Sequence, residues 1–419
     1  MKKTFAFLLV FAILQSCTQT KTDYLEKNRF DLTSTEFDFP QKDFKIIGFG
    51  AYHGSAKTEL TEYGLLKSLT KSGTIKYYLP ETDLSIGHFF NRYLITGDTL
   101  LLKDLVANYG TKVPQEKSIE TFEKWKEIKK LNDNLAENDK LAVVGIDLLV
   151  TYKYTSKHLL EIIDFKQNQE KSFHEIVKMV ELDTTDFSPY YNSYSKDVLK
   201  KFVLDYEKNP TNFQKAISDE FIFDHIIKNL KNTFDNFDNS SKREGIIYDN
   251  YISLSALYNF DEKPQFARFG FFHIEKQREG KNPSFFTRLI ENNVYKREQI
   301  ISVIGYLTES RVLWDLIYDE EGNYEKHTTE GGFGIGDYDK EYFLGIEHLK
   351  KSKLSDITLF RLNKKHTPYS DGVPDLMEIV MTDQESNGEQ VKGKSTTEFI
   401  DYAVLISNSK ANIPIEEMK

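Results

Sequence analysis

The chain has 419 residues, 55 Lys and Arg against 65 Asp and Glu, a formal net charge of -10 and one cysteine. That length suits one large α/β domain or two smaller ones. The dispersed basic residues argue against nucleic acid, which needs a clustered cationic surface, and a lone cysteine excludes an internal disulfide.

The first segment, Met1-Lys2-Lys3 followed by an apolar stretch from Phe5 to Leu14 and then Gln15-Ser16-Cys17, reads as a lipoprotein signal peptide over residues 1–16. It is too short to span a bilayer after cleavage. Cys17 is then the expected site of thioether lipidation. With Thr18 rather than Asp behind it, the outer membrane of a diderm cell envelope is the expected location. Residues 17–43 are polar without a sustained period, as in a flexible tether, and the folded domain is expected over 44–410.

From Phe44 onward, short apolar runs alternate with longer helix-like stretches. The runs are Phe44 to Tyr52, Lys76 to Leu79, Leu141 to Ile146, Gln265 to Phe272, Gln299 to Ile304, Ile357 to Leu362 and Tyr402 to Ile406. They lack strict alternation, which suits strands covered on both faces. Helices are predicted at about 57–72, 84–96, 115–138, 155–181, 195–208, 211–236, 242–260 and 283–293. The expected fold is therefore α/β: a mostly parallel central sheet flanked by helices, with a helical insertion over about 155–260 lying above the strand C-terminal ends. The Gly331 to Gly336 run does not match a dinucleotide-binding fingerprint and reads as a loop.

Two predicted strands end in the same turn, Gly50-Ala51-Tyr52-His53 and Gly270-Phe271-Phe272-His273. Open α/β sheets place polar chemistry above the carboxyl ends of their strands, so two imidazoles in that position can share one site. Glu81 ends the second strand candidate and Asp147 the third. A carboxylate at that height can orient an imidazole, bind a metal or activate water. Each of these residues can also serve as a helix cap or a satisfied core group, and their coincidence at strand ends is what favours a site. No Gly-x-Ser-x-Gly elbow and no His-Glu-x-x-His helix is present.

These motifs, in this order, resemble the erythromycin esterase-like group within the wider Tiki and haem-uptake superfamily. Gly50 to Gly54 with Glu59 resembles its first motif. Glu81 with Asn91-Arg92-Tyr93 resembles the second, Gly145-Ile146-Asp147 its Gly-x-Asp strand, and Arg243-Glu244 with Asn250 its helix ahead of the second histidine. The resemblance implies a hydrolase of ester or amide bonds in a small-molecule or peptide substrate, with His53, Glu81 and His273 catalytic and Glu59, Arg92, Asp147 and Arg243 at the substrate. A divalent metal on His53, Glu81 and His273 is the alternative to a metal-free site. No acid precedes His53, and the second motif continues His273-Ile274-Glu275-Lys276 without a second histidine. Those departures count against a macrolide substrate and keep a rival open: a non-catalytic lipoprotein that captures haem or another apolar ligand.

Overall fold

The computed structural model describes residues 20–164, 171–182, 186–236, 240–331 and 336–419. Its centre is an eight-stranded sheet. In chain order the first six strands are β1 (Arg29–Asp31), β2 (Ile46–Ala51), β3 (Tyr77–Pro80), β4 (Ala142–Val143), β5 (Gln265–Phe269) and β6 (Ile300–Thr308). A hairpin of β7 (Val312–Tyr318) and β8 (Tyr324–Glu330) follows, then the short strands β9 (Asp337–Tyr338) and β10 (Glu341–Phe343). The last three are β11 (Ile357–Arg361), β12 (Ile379–Met381) and β13 (Tyr402–Ser407).

The spatial order of the large sheet is β1-β11-β13-β6-β2-β5-β3-β4. Pairings from β13 through to β4 are parallel, and the β1-β11 and β11-β13 pairs are antiparallel. The central strands β2, β3, β5 and β6 are buried along their whole length, which is why their sequences are apolar without alternation. A small sheet of β12, β10 and β9 stands apart from it.

The helices are α1 (Lys21–Lys27), α2 (Ala56–Lys71), α3 (Leu84–Thr96), α4 (Thr99–Tyr109), α5 (Ile119–Asp133), α6 (Tyr152–Ile162), α7 (Lys171–Leu182), α8 (Tyr194–Lys208), α9 (Pro210–Gln214), α10 (Glu220–Asn236), α11 (Ser240–Tyr258) and α12 (Phe285–Glu291), followed by shorter ones. Helices α6 to α10 gather round a core of their own that includes Phe173, Leu199, Phe202, Phe223 and Leu230. This group is tied to the segment after β4, where Asn229 and Asn250 donate to the carbonyl of Asp147. The predicted helix over 155–181 is two helices: α6 stops at Ile162, and Ile163 bridges Ile217.

Part of the expected tether is folded, and residues 20–43 belong to the domain. Thr20 caps α1, Tyr24 and Leu25 are buried, and β1 extends the sheet at its edge. Cys17, the signal segment and most of the Gly331 to Gly336 run lie outside the described residues. No helix among the described residues is long and apolar enough to cross a membrane.

Candidate functional site

The sheet order makes β2, β5 and β3 consecutive neighbours, so the segments that follow them emerge side by side. His53 follows β2, His273 follows β5 and Glu81 follows β3. The two histidine turns are also locked to each other by packing. A Cβ on Gly48 would stand 2.7 Å from the Ile274 side chain, and one on Gly50 would stand 3.0 Å from it. The strand glycines are thus small so that the residue after His273 can lie on β2. Backbone freedom enters later, at Gly54, where φ is +86°.

Glu81 is the centre of the arrangement. Its Oε2 lies 3.5 Å from His53 Nε2, and its Oε1 lies 3.9 Å from His273 Nε2. The amide of Gly270 donates to Oε2 at 2.9 Å. Behind each imidazole stands a further glutamate: His53 Nδ1 is 2.5 Å from Glu116 Oε1, and His273 Nδ1 is 2.5 Å from Glu244 Oε1. Two carboxylate-backed imidazoles therefore turn their Nε2 atoms toward one shared carboxylate. Glu116 is fixed by the Thr121 hydroxyl at 3.0 Å, and Glu244 by the amide of Phe285 at 2.8 Å.

Arg243, at the start of α11, closes the Glu81 side. Its Nη2 donates to Glu81 Oε1 and to Asp147 Oδ2, each at 2.5 Å, its Nε donates to Asp147 Oδ1 at 3.1 Å, and its Nη1 is 3.3 Å from His273 Nε2. Asp147 is fully buried and also pairs with Lys112 at 2.5 Å. Burial alone would raise the Glu81 carboxyl, but Arg243 and the two histidines hold it well below the usual carboxylate range.

Beneath His53 lies a second charged layer. Arg268, alone among the apolar residues at the centre of β5, is 2 % exposed and bonds Glu62 at 3.3 Å. Lys124 pairs with Glu59 at 2.6 Å and with Glu62 at 2.8 Å. Glu59, Glu62 and Glu116 thus face Arg268 and Lys124, a cluster one positive charge short. Burial and the Arg268 charge pull the His53 pKa down, yet the bonds to Glu116 and Glu81 outweigh them and raise it from 6.5 to about 9. Glu59, by burial and the nearby Glu116, is pushed up to about 7. An imidazolium at His53 and a proton on Glu59 are the two ways this layer can balance its charge.

The structure brings His53, Glu81, His273, Asp147 and Arg243 together and places two other expected site residues elsewhere. Glu59 is 2 % exposed in the buried layer, held by Lys124, and so cannot meet a substrate. Arg92 lies eight residues into α3, about 12 Å along its axis; it pairs with Glu161 at 2.5 Å and covers the Phe89 ring. Neither touches the His53, Glu81 and His273 cluster.

Glu116, Lys112, Arg268, Glu62 and Lys124 escaped sequence reading. The first two lie in and beside the loop between α4 and α5, with no strand end to mark them. Arg268 did carry a signal, since a charge in a buried strand must be paired.

The Arg243 guanidinium, bonded to Glu81 Oε1 and 3.3 Å from His273 Nε2, counts against a divalent metal joining those two groups, whereas a glutamate beside each Nδ1 leaves both Nε2 atoms free as ligands. No cluster of three metal-ligating side chains with suitable geometry occurs among the described residues.

Beside His53 is a cavity of about 430 Å³. Tyr52, Phe271, Tyr306, Phe343, Met377 and Ile379 are among its lining residues, so a largely apolar chamber adjoins the charged centre.

No family model matches the sequence, and no curated protein matches it. Solved structures do. A Bacillus cereus protein superposes with a TM-score of 0.58 at 15% identity, covering 94% of this chain and 98% of its own. A succinoglycan biosynthesis protein gives 0.59 at 14%, covering 95% and 99%. A mutant of the erythromycin esterase EreC in its open conformation gives 0.57 at 12%, covering 89% and 93%. The chain has the erythromycin esterase-like fold. At these identities the likeness is one of fold, and the chemistry of this chain must be argued from its own residues.

Proposed function

We propose that the protein is a hydrolase of ester or amide bonds, anchored to the cell envelope through Cys17. The observation that carries the hydrolase reading is the pair of carboxylate-backed imidazoles aimed at one carboxylate beside an apolar chamber. In this reading His53, once deprotonated, takes a proton from water through Nε2 while Glu116 holds the ring by Nδ1. The hydroxide oxygen adds to the substrate carbonyl. Arg243 Nη1 offers a donor for the resulting oxyanion. Collapse of the tetrahedral intermediate breaks the bond to the leaving group, which receives the proton from His53. Glu81 keeps both rings and Arg243 in place before substrate arrives.

The test is hydrolysis of p-nitrophenyl butyrate by the purified protein and by His53→Ala. Loss of general-base catalysis lowers the rate by about 100-fold or more, with an unchanged circular dichroism spectrum. Full retention of activity by the variant overturns the proposal. For the anchor, labelled palmitate should be incorporated by the wild-type chain in a diderm bacterial host and not by Cys17→Ala.

The apolar chamber also favours a second reading, capture of an apolar ligand such as haem without turnover. Iron ligation needs a neutral imidazole with a free nitrogen. His53 instead has Glu116 on Nδ1 and Glu81 near Nε2, and both favour the imidazolium. A Soret band on haem titration, lost in His53→Ala, would establish the second reading.

A further inference from the structure

The chamber beside His53 contains two acids that the hydrolytic scheme leaves unused, Glu275 and Glu279. Glu275 is 1 % exposed, and its Oε2 has no hydrogen-bond partner among the described residues. Burial, and then the neighbouring Glu279, raises its carboxyl well above the usual range. Glu279 accepts from Asn387 Nδ2 at 2.5 Å. Lys394 is the cation whose charge reaches both acids, but its ammonium donates to the carbonyls of Arg278 and Gln390. Lys394 thus leaves Glu275 Oε2 without a polar partner among the described side chains. Across the same chamber stand the rings of Phe271, Tyr306 and Phe343. Tyr306 lies 5.0 Å from Phe343 and 5.7 Å from Phe271, while Phe271 stacks on Phe343 at 5.3 Å.

A buried carboxyl without a partner is costly unless something else completes it. Aromatic faces favour a cation over a neutral group of the same shape. We propose that this chamber is a subsite for an alkylammonium group: the apolar part of the ligand lies against Phe271, Tyr306 and Phe343, and its protonated amine pairs with Glu275. This rests on the reading of the chamber as the substrate side of the His53 centre, and it assigns that substrate a basic, largely hydrocarbon portion.

The experiment compares binding of 3-phenylpropylammonium with that of 3-phenylpropanol by calorimetry at about pH 8. The wild-type protein should bind the cation about tenfold more tightly than the alcohol. Glu275→Gln should lower cation affinity at least about tenfold and change alcohol affinity less than about twofold. Equal binding of the two probes to the wild type overturns the proposal, as does an unchanged cation affinity in a folded Glu275→Gln protein. Should that variant not fold, Phe343→Leu replaces it, and its cation preference should fall severalfold. Ester hydrolysis measured on the same wild-type sample separates the two proposals: preference for the cation without hydrolysis removes the hydrolase, and hydrolysis without that preference removes the subsite.

Discussion

Replacing Glu116 by Gln removes the carboxylate 2.5 Å from His53 Nδ1 and keeps the length of the side chain. Burial and the Arg268 charge oppose the imidazolium, and only the bonds to Glu116 and Glu81 carry the pKa from 6.5 to about 9. A rise of that size is worth roughly 3 kcal/mol. Without Glu116 the ring should titrate clearly below the wild-type value, because Glu81 alone then opposes burial and Arg268, whose Nη2 still stands 3.5 Å from Nδ1. The folded-state value lies above the unfolded one, so this stabilisation is present in full below pH 6.5 and disappears as the pH climbs through 9. The variant should therefore lose more stability, relative to wild type, at pH 6 than at pH 10, by at most about 3 kcal/mol since Glu81 retains its share. Ring titration by NMR reads the first effect, and urea unfolding at the two pH values reads the second. A ring that still titrates within one unit of the wild-type value, or a loss of stability independent of pH, would refute the reasoning.

In the wild type, kcat/KM for ester hydrolysis should rise about tenfold per pH unit and level off near pH 9, where His53 becomes neutral; a profile flat from pH 6 to 9 would exclude His53 as the base. Arg243→Met leaves Glu81 and Asp147 without their shared guanidinium and should cost about 3–5 kcal/mol near neutral pH. That cost should shrink as the pH falls below the usual carboxylate range and the two acids gain protons, an effect measurable by thermal unfolding. Gly48→Ala places a methyl group 2.7 Å from the side chains of Ile274 and Phe286 and should cost about 1–3 kcal/mol in urea unfolding. Adding Ile274→Val should recover part of it.

How far the sequence discloses this molecule depends on whether a feature is local. The central strands are legible because burial on both faces makes each an unbroken apolar run, and α3 begins and ends where Asp83 and Gly97 cap it. Helix α1 is not, since its 7 residues bury only Tyr24 and Leu25 and show no period. The β7-β8 hairpin escapes for a related reason: β8 is Tyr-Glu-Lys-His-Thr-Thr-Glu, polar throughout, and pairs only with β7. At the site, His53, Glu81, His273 and Asp147 can be found because each follows a strand. Glu116 cannot, because its tie to His53 spans 63 positions and no pattern around it marks an end or a face.

The charge count explains why such a hidden residue matters. Glu116 does two things at once: it fixes the ring of His53 and supplies the negative charge that makes an imidazolium the stable resting form. His273 Nδ1 is as close to Glu244, though without hydrogen-bond geometry, and its surroundings differ, since Arg243 Nη1 lies 3.3 Å from its Nε2. The two halves of the site, alike in their turns, thus differ in their surroundings: His53 lies between two carboxylates and His273 beside the Arg243 guanidinium. Exchange of proton-transfer and charge-stabilising roles between them would require Arg243 to move away, and its bonds to both Glu81 and Asp147 hold it in place.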